Sequence, residues 1–508
     1  MKKTLNYLIK SYKTFYTLEK IIKNLNIMQK ISIHFSIILL LCFFTACFPS
    51  KRYNYNNIMK QYSTNMCELK SDNFNKNLKI ACDLSKPFSL SSAIKIALKN
   101  NPDTKLAIYK IKEAQADLKK AKTNFFPDII LYFEYVQGET PSASLFKGID
   151  QRKLPETFNF NYPGWFQNYE TGINARLNLY NGSRDILNIK AAEKTLKYED
   201  LNKKFVENNL IFSTISAYYD LLAAMDYVQI AEESKSTVEA QYKIMDVRYK
   251  AGGALKSDIL SLQVRCAKVE EELLTSQNQL KTSKAILGNI LGIGPENIIS
   301  IDKITDFTDF QIPESYTACV AVALKKRPEI EKNIENIKKA RIYLDIALST
   351  YLPTLDFFTK AYHDDEKMKY RHRRGNWTVA ALMNLNLSSA IKTPPEVQKA
   401  KAMLMQAITF NEKTILSVKL DVKKALLLLE EAFARYKVAE ATVANAIESF
   451  NLVKKQYEGG SANITRYLEA ELDRNRSRIR KTAAFYDKQK SLAYASKALG
   501  DLKNYINK

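Results

Sequence analysis

The side chains that could carry out catalysis are few and scattered. The chain has three histidines and six cysteines. His34, His363 and His372 have no partners spaced as in a Ser–His–acid, metal-binding or phosphate-loop motif, and no cysteine spacing is typical of a zinc site. Acidic pairs at residues 232–233 and 430–431 lie on polar faces of helical patterns, which favours solvated charges. We therefore predict no enzyme, no cofactor and no metal site.

One cysteine lies in a stretch with a defined chemical meaning. From Met28 a short basic segment leads into an apolar run at residues 35–44, followed by Thr45, Ala46 and Cys47. This order is typical of an export signal, and the apolar run is too short to cross a bilayer as a helix. Because Cys47 directly follows small residues, the stretch resembles a bacterial lipoprotein box with Cys47 as the acylated residue. The alternative is ordinary signal cleavage, with Cys47 incidental.

These assignments divide the N-terminal part of the chain. We predict that residues 1–27 are an upstream extension from a start codon assigned too early, that 28–46 form the signal peptide and that 47–86 form an acylated tether. Cys67 and Cys82 lie in the tether and could form a disulfide in an oxidising compartment. The two cysteines further along the chain sit alone in helical patterns, which favours small packed side chains.

The strongly basic charge is weak evidence for a nucleic-acid partner. A formal net charge of +23 and a pI near 9.4 could suggest a nucleic-acid partner. However, Lys, Asn, Ile and Tyr are abundant together along the whole chain, which indicates a compositional bias rather than a binding patch. No nucleic-acid recognition motif is present, and an export signal argues against such a partner. We predict no nucleic-acid binding.

Two long stretches without glycine or proline must position the rest of the chain. They cover residues 183–251 and 396–458, and as α-helices they would be roughly 100 Å and 95 Å long. Apolar residues in the first stretch recur at intervals of three, four and seven, which predicts one buried stripe on a polar helix. The stripe consists of Leu201, Phe205, Phe212, Ile215, Tyr219, Leu222 and Met225. Helices of this kind need long partners.

Four shorter stretches are rich in residues that favour strands. They are residues 128–137, 169–180, 354–363 and 377–388. Apolar and mostly polar residues alternate in the second and fourth stretches, which predicts one apolar face and one polar face. On the apolar face lie Thr171, Ile173, Ala175, Leu177 and Leu179, with Trp377, Val379, Ala381, Met383, Leu385 and Leu387.

The same order of elements occurs twice. An Ala-Leu-Lys-x-x-Pro pattern at residues 97–102 returns at 323–328. The Phe-Phe-Pro before the first strand is likewise matched by Tyr-Leu-Pro before the third, at the same offset. We match the glycine near the end of the first repeat, Gly288, with Gly500 in the second. The alternative is two unrelated helical hairpins in a chain of biased composition.

The repeats define the domain organisation. Repeat 1 covers residues 87–314 and repeat 2 covers 315–508, with return helices predicted at 254–288 and 461–499. The shorter helix before each strand pair and the return helix sum to roughly 90 Å, so we expect them to stack end to end along one long helix. The fold class is therefore mainly α with a small β part.

The strands set a requirement on assembly. Strands of about ten residues can cross an outer membrane, but four strands cannot close a barrel, and open sheet edges are not tolerated in lipid. Several chains must then contribute strands. Three chains would give twelve strands, although two or four are not excluded by physics alone.

At this point residues 87–500 resemble the TolC family of outer-membrane efflux channels. The resemblance rests on the two repeated patterns, on the strand-to-helix turn at residues 177–183, and on the paired turns at 248–252 and 456–460. It implies a homotrimer with a twelve-stranded β-barrel on a periplasmic α-helical barrel. Such a channel passively conducts the substrate of an inner-membrane pump, in a tripartite efflux or type I secretion system, through a periplasmic adaptor. The alternative function is a periplasmic coiled-coil adaptor or scaffold lipoprotein without a pore.

The resemblance also implies where the periplasmic tip lies. Its candidate residues are Tyr249, Gly252, Asp258, Tyr457, Gly460, Arg466 and Glu469. Tyr457 and Asp258 match the contacts that hold family channels closed, whereas Ala462 stands where an arginine partner is found. Arg466 and Glu469 fall where rings of acidic residues line the entrance. We expect a mouth that attracts cations less and is held shut more by packing than by charge. Alternatively, Tyr457 is a turn residue and Asp258 a helix N-terminal acid.

Two loops are expected at the outer rim. Arg371, Arg373 and Arg374, between the third and fourth strands, could meet anionic outer-membrane lipid, although a solvated loop is the alternative. The longer loop at 138–168 holds several aromatic residues. These could fold over the barrel mouth or anchor it at the membrane interface.

Overall fold

A computed structural model describes residues 87–296, 300–302, 312–313, 315–367 and 372–502. The predicted signal peptide, Cys47 and the tether with Cys67 and Cys82 lie outside these residues. The helices are α1 Leu90–Asn100, α2 Pro102–Thr123, α3 Pro141–Asp150, α4 Arg184–Lys250, α5 Lys256–Leu291, α6 Tyr316–Lys326, α7 Pro328–Leu348, α8 Ser389–Glu458 and α9 Ile464–Ala498. The strands are β1 Asp128–Gly138, β2 Phe166–Asn181, β3 Thr354–Asp365 and β4 Gly375–Asn384.

The two long helices, α4 and α8, organise the helical part. They contain 67 and 70 residues, so each is about 100 Å long. Helix α4 packs along α2 and α5, while α8 packs along α7 and α9. The predicted stripe on α4 is buried at Leu201, Ile215, Tyr219 and Leu222. None of the helices in the described ranges has a stretch long and apolar enough to span a membrane.

The shorter helices stack end to end, as their lengths predict. The Asn101 side chain at the start of α2 donates to the Ile290 carbonyl near the end of α5, at 2.9 Å. Gly292, which ends α5 with φ of 71°, lies so close to Asn100 that an added Cβ would be 2.8 Å from its carbonyl oxygen. Gly500 approaches Lys326 in the same way in the second repeat. The structural counterpart of Gly500 is therefore Gly292, and the match with Gly288 is wrong.

The start of α8 also differs from the prediction. We expected a strand to residue 388 and a helix from 396, but β4 ends at Asn384 and α8 begins at Ser389, before Pro394 and Pro395. The Asn386 side chain accepts from the Ser388 N–H at 3.0 Å and turns the chain into the helix. The prolines remove two N–H donors, and their partner carbonyls, four residues earlier, lie on exposed residues that water can reach.

The four strands form one antiparallel sheet in the order β1-β2-β3-β4. Ile173 pairs with Leu131 and Ala361, and Ala361 pairs with Trp377. All four side chains therefore share one face, because directly paired residues point the same way. This is the predicted apolar face, and its exposed members include Leu131, Phe133, Trp377, Val379 and Met383. Strands β1 and β4 each have only one partner strand within this described sheet.

Candidate functional site

The polar face of the sheet is covered on β2 and β3 at the end opposite the long helices, whereas the apolar face is exposed. On β2 the buried positions are Asn168, Glu170 and Gly172, which alternate with the apolar positions. The cover comes from residues 139–165, the connection between β1 and β2, which we call the strap. Helix α3 forms its first part, whereas the sequence predicted only a loop there. Pro141 begins this helix at its first turn, a position that suits proline.

Charged side chains hold α3 against the sheet. Lys147 on α3 donates to Glu170 at 2.6 Å and to Asp364 at 3.1 Å. Asp364 is fully buried and also accepts from Asn168 at 2.6 Å. Burial disfavours the charge on Lys147, but the hydrogen bonds to the two carboxylates outweigh this cost and raise the pKa of Lys147. Glu170 has a second cationic partner in Lys360 on β3, at 2.6 Å.

The end of α3 is tied down by neutral groups. Gln151 donates to the Asn168 side chain at 2.8 Å and to the Gln167 carbonyl at 3.0 Å. Asn376 on β4 donates to the Asp150 carbonyl at 3.2 Å. The strap therefore contacts β2, β3 and β4 at the ends opposite the long helices. Sequence reasoning missed this cluster because its members come from separate parts of the chain.

The basic loop between β3 and β4 is not uniformly exposed. Arg371 lies outside the described residues, and Arg373 is exposed. Arg374 is 5% exposed and forms an ion pair with Asp365 at 2.8 Å. The expectation of a solvated or lipid-facing arginine is therefore wrong for Arg374. Its carboxylate partner, at the end of β3, could not be assigned from the sequence alone.

At the opposite end of the molecule, the two helical hairpins share an apolar cluster. Tyr457 near the end of α8 packs against Tyr467 on α9, with ring centroids 5.2 Å apart. Tyr467 also packs against Phe450 at 5.6 Å. Met245, Ile259 and Leu262 of the first hairpin complete the contact. The Tyr457 hydroxyl is buried and makes no hydrogen bond of normal geometry among the described residues. Burial raises the pKa of Tyr457, and the Gln241 side chain offsets part of this rise.

The other predicted tip residues lie at the surface. Gly252 and Gly460 both have φ of 80° and end the hairpins in open space. Asp258 is in the first turn of α5, where an acid stabilises the helix dipole. Tyr249 is 39% exposed. These four residues lie in or just after α4, α5 and α8, which also contribute residues to the apolar cluster.

The remaining predicted tip residues, Arg466 and Glu469, face each other on α9 as an exposed pair. Their charged groups are 3.7 Å apart. Solvent screens such a pair, so it contributes little to the stability of the folded chain. Both residues lie on α9, so this pair does not join the two hairpins.

A buried polar network lies beside this cluster, and sequence reasoning missed it. Glu471 on α9 is fully buried and accepts from Arg265 on α5 at 2.8 Å and 3.1 Å. Its other oxygen accepts from Ser234 on α4 at 2.9 Å and from Asn475. Three helices thus meet at one carboxylate. Residues 265 and 471 are far apart in sequence, so no local pattern could have indicated the pair.

A second buried carboxylate joins α7 to α4. Glu335 is 1% exposed and is contacted by Lys194, Lys197 and Lys338 at 2.8–3.3 Å. Burial alone would raise its pKa, but the three lysines outweigh burial and lower the pKa of Glu335 to about 2. The carboxylate is therefore charged throughout the physiological range.

Comparison with known proteins decides the family. A model of the outer membrane efflux protein family matches residues 93–293 and 320–501, one segment for each repeat. The chain belongs to the outer membrane efflux protein family. It is 18% identical over 382 residues to the pyoverdine export outer membrane protein OpmQ of Pseudomonas aeruginosa, covering 75% of this chain and 78% of that protein. It is also 18% identical to the probable outer membrane lipoprotein SilC of Salmonella typhimurium, covering 75% and 79%.

Solved structures show the same fold. The Campylobacter jejuni CmeC outer membrane channel superposes with a TM-score of 0.72 at 17% identity, covering 81% of this chain and 85% of that one. The fold class predicted from the sequence is confirmed, as is the resemblance to outer-membrane efflux channels. The efflux protein described here is an outer-membrane channel component with a periplasmic extension.

Proposed function

We propose that three copies of this efflux protein form one exit duct across the periplasm and the outer membrane. An inner-membrane pump delivers the substrate through a periplasmic adaptor, and the duct conducts it passively. The pump supplies the energy, so the duct needs no catalytic residue and no cofactor. In this arrangement the sheet lies in the outer membrane and the long helices extend into the periplasm.

The observation that carries this proposal is the four-stranded sheet, in which the edge strands β1 and β4 each pair with one strand among the described residues. Its apolar face is exposed at Leu131, Trp377 and Met383, and its opposite face carries the polar side chains of Glu170 and Asp364. A surface of this kind is stable when the apolar side meets lipid and the polar side meets an aqueous lumen. The N–H and C=O groups along β1 and β4 then need partners from other chains, because lipid offers none. Three sheets of four strands make a closed ring of twelve.

The tip is proposed as the gate. Tyr457, packed against Tyr467, joins the two hairpins through an apolar contact, and the nearby Arg466 and Glu469 form only an exposed pair. Opening the tip would separate these hairpins or slide them past each other. We propose that packing dominates the closed state and that Gly252 and Gly460 let the chain reverse at the mouth.

The N-terminal anchor is a separate proposal. Thr45, Ala46 and Cys47 follow an apolar run, and SilC carries the name of a probable outer membrane lipoprotein. We propose that the signal peptide is removed before Cys47, that Cys47 is acylated, and that the acyl chains hold the tether in the outer membrane. A Cys47→Ser variant should lose the lipid mass when the mature protein is measured by mass spectrometry.

Closure between chains can be tested by cysteine pairing. Single cysteines along β1, at Ile129, Leu131 or Phe133, are combined with single cysteines along β4, at Trp377 or Val379. These positions lie on opposite edges of one sheet, so a crosslink between them must join two chains. We expect some combinations to give crosslinked species ending at three chains, with a matching native mass. A protein that stays monomeric in detergent and gives no crosslink in any combination would refute the proposal.

A further inference from the structure

The strap lies where it would narrow the outer mouth of the channel. Its hydrogen bonds to strand side chains are on the face of the sheet opposite Leu131 and Trp377, and Lys153 also forms an ion pair with Glu366 just beyond β3. Lys147 reaches Glu170 and Asp364, and Gln151 reaches Asn168. If the apolar face meets lipid, as the proposed function requires, α3 is on the lumen side.

The contacts also fix the end of the sheet at which the strap lies. The chain enters β1 from α2 and leaves β2 into α4, so the opposite ends of these strands, at Gly138 and Phe166, are furthest from the periplasmic helices. Glu170 is four residues from Phe166, and Asp364 is one residue from the corresponding end of β3. The strap therefore covers the outer end of the lumen.

The width of three α3 helices can be compared with the opening of a twelve-stranded ring. Twelve strands about 4.8 Å apart and tilted by about 40° form a backbone ring of roughly 12 Å radius. An α-helix with its side chains is about 10 Å across. Three α3 helices, one from each chain, have a combined width comparable with that opening. They leave no wide aqueous path along the axis.

The strap is held by groups that can be released without unfolding the sheet. Its main ionic attachment is Lys147, whose side chain is 22% exposed, while its partners Glu170 and Asp364 are 4% and 0% exposed. If Lys147 is removed, the donors left to Asp364 among the described residues are the neutral side chains of Asn168 and Asn376. A buried carboxylate without a cation favours a conformation in which water reaches it. Lifting the strap would provide this.

We propose that the strap is a lid at the outer mouth, latched by Lys147 onto Glu170 and Asp364. In the latched state the channel admits ions and small solutes from outside but excludes bulky ones. Passage of a large substrate then requires the strap to lift in addition to opening of the tip. The inference rests on the proposed channel function, and it adds a second barrier at the opposite end of the duct.

The test measures how fast a cysteine behind the strap reacts with reagents added outside intact cells. Asn174 is on the polar face of β2, four residues nearer the periplasmic helices than Glu170. An Asn174→Cys variant is compared with Arg373→Cys, which is exposed at the rim. One reagent is a small charged methanethiosulfonate. The other is a maleimide on a polyethylene glycol chain, too bulky to enter through general porins, and the parent chain gives the background.

We expect the small reagent to label both cysteines, and the bulky one to label only Arg373→Cys. Adding Lys147→Met should speed bulky labelling of Asn174→Cys by about tenfold or more, since loss of a buried ionic partner shifts an equilibrium by at least that factor. The matched control Lys367→Met removes a lysine whose side chain is 66% exposed and should change the rate less than twofold.

Two results would overturn the proposal. Equally fast bulky labelling of Asn174→Cys and Arg373→Cys in the chain with Lys147 intact would mean that the mouth is open. Unchanged slow labelling after Lys147→Met, in cells where Arg373→Cys still reacts, would mean that Lys147 is not the latch. A rim cysteine that no external reagent reaches would instead refute the proposed membrane placement, so the two failures are distinguishable.

Discussion

The buried pair of Arg265 and Glu471 allows a quantitative prediction about the tip. In an Arg265→Met variant the side chain keeps its bulk, but Glu471 loses its closest cation. It remains buried among Ser234, Asn475 and apolar groups, with the Arg474 guanidinium 4.0 Å away. Breaking a buried pair in this way costs about 3–5 kcal/mol. Because Glu471 keeps two neutral donors, we expect the lower end, about 3 kcal/mol, for local opening between α5 and α9.

Hydrogen exchange followed by mass spectrometry measures that opening directly. A loss of about 3 kcal/mol corresponds to roughly a hundredfold faster exchange, and we expect it in peptides that cover residues 259–272. Arg466→Met is the matched control, because it removes an arginine from the exposed pair with Glu469. Its exchange should change by less than about fivefold, the effect of about 1 kcal/mol.

A double variant distinguishes an unpaired buried charge from lost packing as the cause of such a loss. Arg265→Met together with Glu471→Met leaves no buried charge, so most of the protection should return. If the double variant exchanges as fast as Arg265→Met alone, packing rather than the unpaired charge is responsible. If Arg265→Met behaves like Arg466→Met, the network does not stabilise the tip, and the reasoning is refuted.

Three further predictions concern single positions. Gly252→Ala adds a Cβ in open space and should cost about 1–2 kcal/mol because the backbone is left-handed there. In Gly292→Ala the added Cβ also collides with Asn100, so this variant should have the lower melting temperature. Equal melting temperatures of the two variants would contradict this. Tyr457→Phe should be nearly neutral because the hydroxyl makes no hydrogen bond of normal geometry among the described residues. Tyr457→Ala should cost about 3–5 kcal/mol in thermal unfolding. A costly Phe variant would reveal a hydrogen bond, for which the Gln241 side chain is the candidate partner. The lowered pKa of Glu335 means that its stabilisation is present above its ordinary pKa of 4.5 and is lost as the pH falls towards about 2. Glu335→Gln should therefore destabilise the protein more at pH 7 than at pH 3, and an equal effect at both would refute the ionic explanation.

Much of the fold follows from periodicity and chain breaks. Glycines mark the turns that end both long helices, although α8 begins before Pro394 and Pro395. Alternation in the second and fourth strands predicts which face is apolar. These signals are local, because helix and strand periods are set by the backbone itself. The summed lengths of the shorter helices also predict that they stack end to end along the long ones.

What could not be predicted depends on contacts between distant parts of the chain. Arg265 meets Glu471 and Lys147 meets Asp364 only after folding, and neither pair has a characteristic spacing. Helix α3 is short and begins at a proline, so its sequence reads equally well as a loop. The wrong choice of Gly288 over Gly292 has a similar cause, since both glycines lie near the end of α5 and only the contact with Asn100 distinguishes them.

Single-channel recording in planar bilayers tests the central claim most directly. The purified protein, with its native mass measured on the same sample, is compared with Tyr457→Ala, which weakens the apolar contact at the tip. We predict discrete conductance steps from a trimer, and larger or more frequent openings in the variant. A protein that leaves the bilayer silent, both as the parent chain and with the tip contact removed, would contradict the account of this chain as a conduit.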